Sequence, residues 1–165
     1  LAIMVGPDLD YVVVESDVPT GRPERYVIGA ERARAYAREL TGDPKGDVDA
    51  LVVERLTGAD LVGRTYTPPF SYYLGHENAF RVVPADEAVT TTDGTGLVHT
   101  AGAFGEVDKE VTDREGIAAV MPVAKDGRFT APVTDYEGML VFDANGPIID
   151  ALKATTRGER ADSVS

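Results

Sequence analysis

Short β-branched runs, each closed off by glycine, proline or a polar turn, recur along this chain, and that punctuation points to many short strands. Leu1 to Val5 and Tyr11 to Glu15 read as strands separated by Gly6-Pro7-Asp8, a hairpin or bend. Arg25 to Ile28, Leu51 to Leu56, Leu61 to Tyr66, Phe80 to Val83 and Leu97 to Thr100 extend the β pattern, while Pro68-Pro69 forces an extended loop. Ala30 to Leu40 is rich in helix formers, with Gly42 placed to close a helix. Ala118 to Val123 and Arg128 to Val133 flank Lys125-Asp126-Gly127, where Asp-Gly signals a hairpin. Met139 to Phe142 leads into a helix around Ile148 to Lys153. Many short strands with few helices predict a β-rich α+β domain, compact and β-barrel-like, with two or three peripheral helices.

At 165 residues, 43% of them hydrophobic, the chain suits one domain, taken as residues 1–157, followed by a polar tail at 158–165. Leu1 to Val5 lacks the basic start and small-residue cleavage site of a signal peptide, and no apolar run approaches a bilayer span, so no membrane partner is expected. The absence of cysteine excludes disulfides, thiolate zinc sites and a cysteine nucleophile, and it fits a cytoplasmic setting. The chain opens without methionine in the middle of a strand, as a piece of a larger protein would. A net charge of −12 argues against autonomous nucleic-acid binding, so a nucleic-acid partner must touch a small area. The basic residues of Glu31 to Arg38 stand at helical spacing, as on a solvated face.

Chemistry concentrates between Thr90 and Val111, which holds one of the two histidines. His99 with Asp93, Glu106 or Asp108 is a poor zinc set, because zinc wants three or four ligands richer in His or Cys, and His76 is far away in sequence. Asp93-Gly94-Thr95-Gly96 lacks the lysine of a phosphate-binding Walker loop and the spacing of a dinucleotide fingerprint. An aspartic peptidase needs two carboxylates sharing a proton, and the motif has no second copy. The remaining reading is a tight turn shaped by Gly94 and Gly96, with threonines favouring β structure. From the residues alone, that turn leads.

The stretch Asp93 to Asp108 nevertheless resembles the block G-T-G-x-V-H-x-A-P-x-F-G-x-x-D of the isoleucyl-tRNA synthetase editing domain, the connective polypeptide CP1. Leu1 to Tyr11 is similar to the strand after that family's threonine-rich peptide, and Gly63 to Phe70 is similar to its G-x-x-Y-x-P-x-F segment. The blocks occur in family order. The valyl and leucyl synthetases share the domain, but the leucyl type usually carries another residue at the position of His99.

The resemblance implies hydrolysis of the ester joining a wrong amino acid, chiefly valine, to the 3′-terminal adenosine of isoleucine tRNA. The expected partners are that aminoacyl-adenosine and the remainder of a parent synthetase, and no cofactor is implied for this domain. By the same resemblance Asp108 grips the substrate α-ammonium, with helix N-cap as its structural alternative. His99 contacts substrate and limits side-chain size, with a buried structural histidine as the alternative. Val98 and Ala101 line the pocket, although in an extended strand His99 and Ala101 share one face and Val98 joins them only if the strand kinks. Thr95 shapes the turn. Thr90, Thr91 and Thr92 are expected to be strand residues, because the family's threonine-rich peptide precedes the point where this chain opens. Without that peptide the chain is expected to deacylate slowly. Gly102 replaces the family's usual proline, loosening the backbone, and Val107 replaces a common acid. A non-catalytic binding module is the rival reading.

Overall fold

The computed structural model describes residues 1–156, so the tail at 158–165 lies outside the described residues. Two three-stranded sheets form the frame. In the first, β1 (Ala2–Val5) lies between β5 (Val82–Pro84), which is parallel to it, and β6 (Val98–Thr100), which is antiparallel. In the second, β2 (Asp10–Ser16) lies between β3 (Glu24–Gly29) and β4 (Val52–Thr57), both antiparallel. The α+β class holds, but its β part is a pair of small sheets, and no closed barrel is found among the described residues.

The Gly6-Pro7-Asp8 segment is a bend and not a hairpin. Leu9 donates its N–H to the Gly6 carbonyl at 3.0 Å, and the chain then leaves the first sheet to become the centre of the second. That transfer explains why Tyr11 to Val14 is apolar without alternation. Tyr11 and Val13 pack with Val5, Leu56, Leu61 and Val82, whereas Val12 and Val14 pack with Ile28, Ala33, Ala37, Leu40 and Val48. A strand covered on both faces reads as a continuous hydrophobic run.

Helices differ more from expectation. Ala30 to Leu40 forms a 3₁₀ turn at Ala33–Tyr36 and then only five α-helical residues, α1 (Ala37–Thr41), ended by Gly42 at φ 79. Leu61 to Tyr66 is not a strand. α2 (Gly58–Leu61) takes its first residue, because Thr57 and Asp60 form a reciprocal capping box that nucleates a helix there, and only a bridge from Thr65 to Arg81 remains of the β pattern. The Asp126-Gly127 turn forms as expected, with Ala124 donating to Arg128 O at the same 2.8 Å as Thr130 to Pro122 O, but its arms make isolated bridges and no regular strands. α4 (Val141–Thr156) begins seven residues before the expected Ile148 and runs through Pro147. Among the described residues no helix is long and apolar enough to cross a membrane.

α3 (Glu106–Arg114) covers the first sheet. Its Val111, together with Ile117 beyond its end, packs on Leu1, Ala2, Met4 and Val83. Acidic residues Glu106 and Asp108 occupy its first turn and Arg114 its last, the distribution the helix dipole favours. This packing brings the start of α3 against the end of β6.

Candidate functional site

The turn from Thr90 to Leu97 is built from the far sheet. Arg32 donates to the carbonyls of Thr92 and Gly94, both at 3.0 Å, and the Gly29 N–H donates to Thr95 O at 2.8 Å. Tyr11, 1% exposed, donates its hydroxyl to Gly96 O at 2.7 Å while accepting from the Gly6 N–H at 3.2 Å. Gly94 and Gly96 have φ of 62 and 79, the left-handed region where glycine carries no Cβ penalty. Thr95 is therefore a turn residue, with its hydroxyl 3.3 Å from Leu97 O. Thr90, Thr91 and Thr92 are not strand residues. They lie in a loop outside any strand, where Thr92 Oγ1 donates to Thr90 Oγ1 and Thr90 Oγ1 to Asp93 Oδ1, and Arg32 anchors that loop at Thr92 and Gly94.

β6 leaves this turn and registers against β1, pairing Val98 with Met4, His99 with Ile3 and Thr100 with Ala2. Val98 and His99 are exposed, Thr100 is fully buried and Ala101 is half-buried. Period-two alternation places His99 and Ala101 on one face and Val98 with Thr100 on the other. At the end of the strand the Thr100 hydroxyl donates to Asp108 Oδ1 at 2.8 Å, and the Leu1 nitrogen donates to Thr100 O. Asp108 is not the N-cap of α3. Gly105 occupies that position with extended backbone, and Asp108 is the third helical residue, so its carboxylate faces Thr100.

His99 and Asp108 stand near enough to interact electrostatically. The imidazole has its pKa lowered by desolvation on its protein side, while the Asp108 charge works in the opposite direction. His99 is thus an exposed residue with one crowded side, not the buried structural histidine considered above. Its neutral form is favoured. Because the unfolded chain takes up this proton near the ordinary value of 6.5, before the folded chain does, stability should fall as pH drops through that region and level off below the folded pKa. Imidazole C–H shifts followed against pH should give a His99 midpoint below 6.5; a midpoint at or above that value would contradict this electrostatic account.

Thr112, outside the block, and two glycines within it complete the arrangement. Thr112 donates its hydroxyl to Asp108 O at 2.8 Å, Gly105 leaves room for the carboxylate, and Gly102 lies so close to α3 that a Cβ there would be 2.2 Å from Thr112 Oγ1. Gly102 therefore serves close packing of the turn on the helix. The visible hint was a pair of threonines, Thr100 and Thr112, on otherwise apolar inner positions.

His76 is engaged elsewhere, with Nε2 2.8 Å from Ala118 O, and no group of three potential metal ligands converges among the described residues. A pocket of about 430 Å³ lies between β3 and α1, lined by Tyr26, Ile28, Tyr36, Leu40, Thr95 and Leu97. It touches the turn through Thr95, but neither His99 nor Asp108 lines it.

No family model matches the chain. It is 48% identical over 164 residues to the isoleucine–tRNA ligase of Nocardia farcinica, covering 99% of this chain and 15% of that protein. Its identity to the isoleucine–tRNA ligase of Corynebacterium diphtheriae is 44% over 167 residues, with 99% and 15% covered, and to that of Rickettsia bellii 41% over 154 residues, with 93% and 13% covered. The chain thus spans about 15% of the length of these curated relatives. Among solved structures it is similar to the leucyl-tRNA synthetase fragment GlLeuRS-CP1, with a TM-score of 0.53, 15% identity, and 95% of this chain and 60% of that one covered.

Proposed function

Because this chain is a CP1-type segment of the isoleucine–tRNA ligase family, we propose that it holds a post-transfer editing site that hydrolyses the ester of valyl-tRNA(Ile). The observation that carries the reading is the Asp108 carboxylate, fixed at the end of β6 by a buried threonine beside a neutral-favouring imidazole. A fixed carboxylate is a strong partner for an α-ammonium, since charge-assisted hydrogen bonds are about twice as strong as neutral ones.

Physical need supports the same reading. A missing methylene changes binding by only about 1–3 kcal/mol, so a synthetic pocket that admits isoleucine cannot reject valine well, and a second sieve must remove the error. A site that holds only a terminal adenosine and its amino acid also suits a chain of charge −12.

In this mechanism Asp108 orients the amino acid by its ammonium, while His99 and Ala101 border the space for its side chain. Water adds to the ester carbonyl carbon, and collapse of the tetrahedral intermediate expels the esterified ribose oxygen, which leaves as the hydroxyl with the proton that the attacking water gives up. No side chain is assigned as nucleophile. Orientation of water and ester by hydroxyls, backbone donors and the vicinal ribose hydroxyl supplies the rate.

Titration of the chain with non-hydrolysable valyl- and isoleucyl-adenosine analogues, followed by NMR, tests the proposal. Shifts should centre on His99 and Asp108 and favour the valyl compound, and Asp108→Ala should weaken its binding by roughly 10- to 100-fold, the range for losing a hydrogen bond to a charged group. Equal affinity for both analogues, or none, would point to the non-catalytic binding module instead.

A further inference from the structure

Thr100 lies in the middle of the site block yet presents no atom to solvent. A hydroxyl buried in an apolar sheet is retained at a cost unless it is hydrogen-bonded, and this one is spent on a single acceptor, Asp108 Oδ1 at 2.8 Å. Two further features surround Asp108, one at its backbone carbonyl and one beside its carboxylate. Thr112 Oγ1 donates to Asp108 O within the helix, and Gly105 offers a gap where a Cβ would come 2.6 Å from Asp108 Oδ2. Gly105 has φ −155, an extended backbone that any residue adopts, so its lack of a side chain serves space and not conformation.

We propose that Thr100 and Gly105 are positioning residues for ammonium recognition: the Thr100 hydroxyl holds one Asp108 oxygen, and the bare Gly105 α-carbon keeps the other free to turn toward the substrate amine. This rests on the editing reading above. Thr100 touches no substrate; it acts through Asp108. Neutral threonine is suited to this role because it leaves the carboxylate its full charge, whereas a lysine or arginine would neutralise the charge the ligand needs.

Three variants separate positioning from simple support of the fold. Thr100→Val keeps the shape and removes the donor, Thr100→Ser keeps the donor and removes a methyl, and Gly105→Ala fills the gap. Affinities are measured for the valyl-adenosine analogue and for a companion lacking the α-amine, with thermal melts reporting folding. Thr100→Val and Gly105→Ala should each lose about tenfold in affinity for the amine-bearing compound, the size of one hydrogen bond to a charged group. They should bind the companion as wild type does, and Thr100→Ser should keep amine preference. Equal losses for both compounds, or unchanged amine preference in Thr100→Val, would overturn the inference while leaving the editing reading standing. If wild type itself shows no amine preference, the editing reading fails. The positioning claim is then decided by the Hα–Hβ couplings of Asp108, which should report one rotamer in wild type and Thr100→Ser and averaging in Thr100→Val; averaging in wild type as well would sink it.

Discussion

Gly58→Ala should destabilise the chain by more than about 3 kcal/mol, although by helix propensity alone the change would be favourable by up to about 1 kcal/mol. Gly58 opens α2 directly against the bend that carries the chain between sheets. Its N–H donates to Leu9 O at 2.8 Å, and Ala59 donates to Pro7 O at 2.9 Å. A Cβ on residue 58 would lie 1.9 Å from Gly6 O, 2.7 Å from Gly6 C and 3.0 Å from Pro7 Cα. These are backbone atoms, so no rotamer change relieves the clash. Separating α2 from the bend would break both hydrogen bonds and open the cluster of Val5, Leu56 and Leu61. Overpacking ordinarily costs about 1–3 kcal/mol, and with those losses added the total should exceed about 3 kcal/mol, a large share of a typical domain's 5–15. Urea unfolding followed by circular dichroism measures it; a loss below about 1 kcal/mol would show that the bend can shift as a unit.

Tyr11→Phe should cost about 2–4 kcal/mol, far more than the loss of one average hydrogen bond. The hydroxyl is the one link that ties the Gly6 N–H of the bend to the Gly96 carbonyl of the turn before β6. Phenylalanine fills the same space, so no cavity forms, but a buried donor and a buried acceptor are left unpaired, each at about 1–3 kcal/mol. The melting temperature should fall by roughly 5–15 °C for a chain of this size. Affinity for the valyl-adenosine analogue should fall with it, because the turn that launches His99 loses its anchor at Gly96. A drop below about 2 °C would mean that water enters and satisfies both groups.

Legibility followed the range of the interactions. Strands β2, β3, β4 and β6 were readable because β-branched runs bounded by turn residues need little beyond local sterics and burial. Gly42, Gly94 and Gly96 were readable as turn formers for the same reason. Ala30 to Leu40 was overextended because a sequence of good helix formers says nothing of the Gly29 and Ala30 amides, which are drawn into bonds with Thr95 O and Asp10 O before the helix can start. The reading of Leu61 to Tyr66 as a strand gave the apolar pattern priority over the Thr57–Asp60 capping box, which was present in the sequence and prevailed. Thr90 to Thr92 failed as strand, and the loop they form is anchored at Thr92 and Gly94 by Arg32, sixty residues before Thr92.

For the proposed site, the candidate residues were legible along the chain. His99, Ala101 and Asp108 stand in a spaced block whose resemblance named a family, and the relatives agree with it. Tertiary structure alone decided how they meet. It made Asp108 an interior helical residue instead of a cap, exposed His99, and spent the hydroxyl of Thr100 on the carboxylate. The physical reason is that spacing along the chain fixes which residues share a strand or a helix, whereas the approach of α3 to β6 is set by the packing of Val111 and Ile117 on Leu1, Met4 and Val83, residues that are remote in sequence from the helix.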